Sequence, residues 1–294
     1  MVARRDSSGS VHPALLLAPA LLVIGVLFTG GIVLALVQSL GYLPALGMRT
    51  VSVDAFVSVL TSRGFLQSLG LTLWVAGVST VLTVLLGLIT ALVLRRRLRG
   101  GRLIRFLYQI PLTVPHLVVA VAAAMLLSQS GLLSRFLFHG GFISAPAAFP
   151  EFVHDSAGVS IILVYAWKQI PFVGLVALAV LQSVGDDYES VARSLGASRW
   201  QRIRHVLVPL TLPAVVPASI IVFAFVFGAF ETPLVLGARF PSMLSVLAYR
   251  LYTDTDLTRR PQAMALNLVI ALISLGLVAL YRGATRVFSE QRDG

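Results

Sequence analysis

Residues 64–94 read GFLQSLGLTLWVAGVSTVLTVLLGLITALVL, a run without one charged side chain between Arg63 and Arg95. The run exceeds the ~20 apolar residues that an α-helix needs to cross the hydrocarbon core of a bilayer. Lipid offers no hydrogen-bond partner to the backbone, so a spanning segment of this kind has to be a helix. Strands of a transmembrane barrel alternate over about ten residues and do not build such runs.

The composition of the whole chain agrees with a membrane protein. Of the 294 residues, 57% are hydrophobic and only 12% are charged, whereas a soluble domain has about 25% charged residues. The mean hydropathy is +0.90. These values argue against a soluble enzyme, and the absence of cysteine excludes disulfides and thiolate chemistry.

Five more segments resemble the first in length and apolar character, so we predict an all-α polytopic membrane protein. The segment nearest the N-terminus is too long for the h-region of about 7–15 residues in a signal peptide, and we interpret it as a retained span. Residues 1–294 are then one transmembrane domain. The six spans are predicted at approximately 14–40, 66–94, 106–130, 158–184, 209–235 and 261–281.

The arginines are divided unevenly between the two sides of this six-span arrangement, in which both termini share one side. The termini, the loop after span two and the loop after span four together carry fifteen arginines, and the opposite side carries seven. The positive-inside rule therefore places both termini in the cytoplasm. Topology and contact with membrane lipid account for the net charge of +11, and we expect no nucleic-acid partner.

The loop after span four, residues 185–208, differs from the other loops. Acidic residues at its start and Gly196 at its end predict a first short helix. Ser198 and Gln201 have the spacing of a capping box, which begins a second helix. Two interpretations stay open from the residues alone: an amphipathic helix pair on the membrane surface, or a projection that fits a groove in a partner protein.

This loop resembles the coupling motif E-A-A-x3-G-x9-I-x-L-P of permease subunits in binding-protein-dependent ABC importers. Ser190-Val191-Ala192 occupy the E-A-A positions, Gly196 the glycine and Pro209 the proline. Val206 and Val208 occupy the isoleucine and leucine positions. Serine stands where the family has glutamate, and Glu189 precedes it by one residue.

Three further stretches resemble the branch of the family that includes polyamine permeases. They are residues 111–116 (PLTVPH), 166–171 (AWKQIP) and 228–233 (GAFETP). Related branches carry iron, phosphonates, thiamine and sugars. The resemblance implies the six-helix fold of a type I ABC importer permease, in the cytoplasmic membrane of a bacterium, with a polyamine or similar small polar or cationic solute.

The resemblance also implies the partners. They are ATP-binding cassette ATPase subunits, an extracellular solute-binding protein and a second permease, which we expect to be a different chain rather than a second copy. The only lysine, Lys168, is not in a P-loop, so ATP and magnesium belong to the ATPase, and we expect neither enzymatic activity nor a cofactor or metal in this chain. The residues implied to couple to the ATPase are Asp187, Glu189, Ser190, Val191, Ala192, Leu195, Gly196, Ala197, Ser198 and Trp200.

Lys168 and Glu231 are the charged residues that lie within predicted spans. Intramembrane charges are costly, and they usually pair with one another or face a cavity. We therefore expect these two residues to line the solute pathway, or alternatively to form an ion pair. Gln169, Thr232 and His116 are further candidates for the pathway. Small residues in spans three and five, Ala120, Ala123, Ala124 and Gly228, are candidates for the contact with the second permease.

One alternative comes from a different class of protein. A self-sufficient secondary transporter or channel would work without ATP and would contain inverted repeats with paired broken helices. The sequence has no obvious repeat, and the coupling-type loop argues against this alternative.

Overall fold

The structure, a computed structural model, describes residues 13–95, 101–183 and 185–290, and the elements in these ranges are helices. Six of the segments are long and apolar enough to span a membrane, so the predicted fold class is confirmed. The helices are α1 (Pro13–Ser39), α2 (Asp54–Leu60), α3 (Arg63–Leu94), α4 (Arg102–Thr113), α5 (His116–Leu127), α6 (Leu132–His139), α7 (Val159–Ser183), α8 (Gly185–Ser194), α9 (Arg199–Arg202), α10 (Val208–Gly228), α11 (Glu231–Leu236), α12 (Leu244–Tyr252) and α13 (Arg260–Glu290).

Two of the predicted spans are divided in the structure. The third, predicted at 106–130, covers part of α4 and all of α5, which are separated by Val114 and Pro115 with extended backbone (ψ 130° and 143°). The segment there that is long and apolar enough to span a membrane is His116–His139, so the predicted bounds begin too early. The fifth consists of α10 and α11, separated at Ala229 (ψ 141°) and Phe230. A residue that precedes proline avoids the helical region because the proline ring collides with its backbone, and Val114 is such a residue.

The core of the fold is the crossing of α3 and α7, which pack together along much of their lengths. Gly87 and Gly174 meet at this crossing, where a Cβ atom on Gly174 would lie 3.2 Å from the carbonyl oxygen of Gly87. The hydroxyl of Tyr108 also occupies the space beside Gly174. Small residues let membrane helices approach closely, and this close approach fixes α7 at the centre of the subunit.

The small residues of α5 do not lie where we expected them. Ala120 and Ala123 are buried inside the subunit, with exposed fractions of 0% and 7%. The prediction that they contact a second permease is therefore wrong, because they already pack against helices of this chain. Ala124 is half-buried, and Gly228 is exposed at the end of α10.

Candidate functional site

The loop between α7 and α10 contains the helix pair that the sequence predicts. Ser198 accepts a hydrogen bond from the backbone N–H of Gln201 (3.3 Å), and the Gln201 side chain accepts one from the N–H of Ser198 (2.8 Å), so the capping box is confirmed. Gly196 ends the preceding helix with φ 82°. The N–H of Ala197 donates to the carbonyl of Ala192 and that of Gly196 to the carbonyl of Arg193, which is a Schellman motif.

Four large side chains of this loop, which we call the coupling face, project from the subunit. They are Tyr188, Val191, Leu195 and Trp200, with exposed fractions of 57%, 59%, 82% and 67%. Ala192 and Ala197 are half-buried behind them, and Asp187, Ser190 and Ser198 are exposed. The loop therefore presents an apolar surface that nothing in the described part of the chain covers.

Two details of the loop differ from the sequence analysis. The spacing of Trp200, Ile203 and Leu207 predicts one shared helix face, but Trp200 is 67% and Leu207 only 1% exposed, because residues Ile203–Leu207 form a π-helical turn. Glu189 does not belong to the exposed set either, since it is only 5% exposed. Its carboxylate turns inward because arginines of neighbouring segments surround it.

A second candidate site lies where the two divided spans meet. α11 packs against α5 and α7, so both interruptions lie close to the centre of α7. We call the side chains gathered there the broken-helix site. Its members are His116, Tyr165, Lys168, Phe225, Glu231 and Thr232.

The rings and charges of the broken-helix site are near neighbours. The His116 ring lies 4.9 Å from that of Phe225 and 6.2 Å from that of Tyr165, measured between centroids. His116 also lies within electrostatic range of both Lys168 and Glu231. Within the ranges that the structure describes, Nε2 of His116 is buried without a hydrogen-bond partner. The structure thus brings together His116, Lys168, Glu231 and Thr232, four of the five pathway candidates.

The two intramembrane charges have different surroundings. Lys168 is 3% exposed, and its ammonium group donates hydrogen bonds to the carbonyl oxygens of Pro111 (3.0 Å) and Val114. Glu231 is exposed at the start of α11 and forms no ion pair with any described residue. Gln169, the fifth candidate, is half-buried beside Lys168 on α7. Adjacent helical residues point about 100° apart around the helix axis, so Gln169 and Lys168 leave α7 in different directions.

Prolines explain why both interruptions need side-chain donors. The carbonyl of Pro111 would accept from residue 115 in a continuous helix, but Pro115 has no N–H, and Lys168 donates to it instead. In the same way Pro233 deprives the carbonyl of Ala229 of its donor, and the Ser245 hydroxyl of α12 takes that place. The sequence analysis missed Ser245, although the two prolines were a signal that carbonyls four residues earlier would need donors.

Comparison with known proteins identifies the family to which these features belong. Residues 83–290 match the family described as binding-protein-dependent transport system inner membrane component. The chain belongs to this family. It is therefore a permease subunit of an ABC importer and an inner-membrane protein that crosses the bilayer several times.

Several relatives of the permease have assigned solutes. The molybdenum transport system permease protein ModB of Mycobacterium tuberculosis is 31% identical over 78% of this chain and 83% of its own length. The trehalose/maltose permease protein MalF of Thermococcus litoralis is 29% identical over 72% and 71%. The sulfate permease protein CysT of Escherichia coli is 28% identical over 75% and 76%. The solutes of these relatives thus differ in charge and size.

Solved structures agree on the fold. A chain of a bacterial ABC transporter that imports the acidic polysaccharide alginate superposes with a TM-score of 0.73 at 20% identity, over 93% of the permease and 94% of that chain. A chain of a bacterial alginate ABC transporter in complex with a periplasmic protein bound to an alginate pentasaccharide gives a TM-score of 0.73 at 21% identity, over 94% of the permease and 96% of that chain. At this level of identity the likeness establishes the fold alone.

Proposed function

We propose that this permease forms half of the translocation pathway of an ATP-driven importer and couples to a separate ATPase through residues 185–208. The coupling face carries this proposal, because large apolar side chains that project into water are costly unless a partner covers them. In this proposal Leu195 and Trp200 enter a groove of the ATPase, Gly196 and Ala197 pass closest to its surface, and both termini of the permease lie on the same, cytoplasmic side. A solute-binding protein delivers solute from the other side.

The coupling proposal is tested by the ATPase that accompanies the permease. The tagged permease is purified from its own membranes, and the hydrolysis of Mg-ATP that co-purifies is measured. Leu195→Asp should abolish that activity, because a carboxylate would enter the apolar contact. Phe142→Asp is the matched control, since Phe142 is 76% exposed outside this loop, and it should retain the activity. Equal retention by both variants would contradict the proposal.

We further propose that the broken-helix site lines the pathway and favours a small cationic solute such as a polyamine. Irregular backbone at membrane depth is tolerated where protein or a water-filled cavity surrounds it. The charge of Lys168 is engaged by two carbonyls, whereas the carboxylate of Glu231 is exposed, so the site presents a negative charge to a solute.

The proposed solute is tested by uptake. Cells that carry the complete importer are given labelled putrescine or spermidine, and in parallel labelled sulfate, molybdate, maltose, ferric iron, phosphonate or thiamine. Saturable uptake of a polyamine that depends on the permease supports the proposal. Uptake of one of the other solutes in place of the polyamines would overturn the choice of solute and leave the importer function in place. Uptake without the ATPase would instead favour a secondary transporter.

A further inference from the structure

The carboxylate of Glu189 connects three separate segments of the permease. Arg95 follows the last residue of α3 and forms an ion pair with Glu189 Oε2. Arg202 of α9 places its Nε 3.3 Å from Glu189 Oε1, and Arg193, one turn along α8, lies 3.9 Å from the same oxygen. The end of span two, α8 and α9 thus converge on one side chain.

The central pair of this cluster is buried. Glu189 is 5% and Arg95 is 8% exposed, so neither charge can exchange its partner for water. Removing the charge of Glu189 while keeping its size weakens the link to Arg95, because a neutral amide oxygen still accepts hydrogen bonds from the arginines but no longer balances their charge. Arg202 also donates through Nη1 to the carbonyl of Ala197 (2.8 Å), beside Gly196, and this bond fixes the angle between α8 and α9.

We propose that Glu189 is a positioning residue that holds residues 185–208, the coupling loop, against α3 as a clamp. Movement that the ATPase imposes on this loop then reaches span two as well as spans four and five. This inference rests on the proposed coupling function of the loop. Through the chain itself, α8 is attached to α7 and the π-helical turn to α10. The Glu189 cluster adds a third attachment, to α3, which packs along both α7 and α10. The clamp makes α3, α7, α10 and the loop one rigid body in a switching transition.

The first test measures coupling in the assembled transporter. Glu189→Gln retains the size of the side chain and removes its charge. We expect the complex to assemble with basal ATPase activity, while stimulation by the solute-loaded binding protein falls about tenfold. Asp254→Asn is the matched control, because Asp254 pairs with Arg259 at 3.1 Å outside this cluster, and it should leave stimulation unchanged. Should Glu189→Gln fail to insert, Arg95→Gln breaks the same link from the other side.

The second test measures the movement itself. The chain has no cysteine, so Val93→Cys on α3 and Ser194→Cys on α8 give a single pair of spin-labelling sites, both exposed. In the otherwise native permease the distance between the labels should stay constant between the nucleotide-free and ATP-bound complexes. With Glu189→Gln the distance distribution should broaden or shift.

The outcomes separate the clamp from the function on which it rests. A native complex without ATPase activity would overturn the proposed function and the clamp together. A native complex whose stimulation persists in Glu189→Gln, with an unchanged label distance, would overturn the clamp alone. A label distance that changes on ATP binding in the otherwise native permease would also overturn it, since α8 would then move without α3.

Discussion

Lys168 donates a hydrogen bond of 3.0 Å to the carbonyl oxygen of Pro111, an oxygen that loses its helical donor because Pro115 has no N–H. The ammonium group thereby fills a gap in the hydrogen bonding of span three from the centre of span four. The same group reaches the carbonyl of Val114 within the interruption. A residue that the sequence marks as an intramembrane charge therefore supports the backbone of a neighbouring helix.

Lys168→Met should destabilise the permease by about 2 kcal/mol or more, because it leaves two buried carbonyl oxygens without a donor. Thermal unfolding of the purified complex in detergent measures the effect. Gln169→Met is the matched control on the adjacent, half-buried position and should change the unfolding temperature little. An unchanged unfolding temperature for Lys168→Met would show that the two hydrogen bonds do not hold the interruption.

Lys168 and Glu231 should contribute to stability independently. Lys168 is satisfied by carbonyls and Glu231 is exposed, so the structure favours separate roles over the ion pair that the sequence left open. We expect the effects of Lys168→Met and Glu231→Gln on the free energy of unfolding to add within about 0.5 kcal/mol in the double variant. A double variant more stable than Lys168→Met alone would instead reveal a direct pair.

Local signals in the sequence were sufficient for the number of membrane helices and for the helix pair in residues 185–208. Long apolar runs predicted six membrane helices, and the spacing of Ser198 and Gln201 predicted the capping box, because each depends on residues that are neighbours in the chain. Gly196 was predicted to end the first helix of the loop for the same reason, since helix ends follow local rules.

Long-range partners could not be predicted in this way. Glu189 meets Arg95, 94 positions earlier, and Lys168 meets the backbone of Pro111, 57 positions earlier. These contacts depend on how α3, α4 and α7 cross, which no periodicity of one segment encodes. The assignment of Ala120 and Ala123 to an external contact failed on the same ground, because a small residue suits an internal helix crossing and an external one equally well.

Glu231→Gln should lower transport of a cationic solute about tenfold, since an interaction with a charged group contributes about 1.5 kcal/mol or more. Assembly and basal ATPase activity should stay near normal because Glu231 is exposed and forms no ion pair with a described residue. Uptake of labelled putrescine measures the effect. Glu231→Asp retains the charge and should retain most of the transport. Full transport by Glu231→Gln would show that this residue does not line the pathway.

Substitutions of Gly196 should separate the backbone requirement of the coupling loop from its contact with the ATPase. The φ of 82° costs an alanine roughly 1–2 kcal/mol, whereas asparagine tolerates this region better. A Cβ at Gly196 meets nothing within 4 Å in the permease, so any close approach has to come from the partner.

If the ATPase packs directly on Gly196, the Asn, Ala and Arg variants all lose solute-stimulated ATP hydrolysis, with insertion intact. Stimulation that survives in Gly196→Asn but fails in Gly196→Ala would mean that only the backbone conformation matters, and normal stimulation in Gly196→Arg would refute the coupling role of this loop.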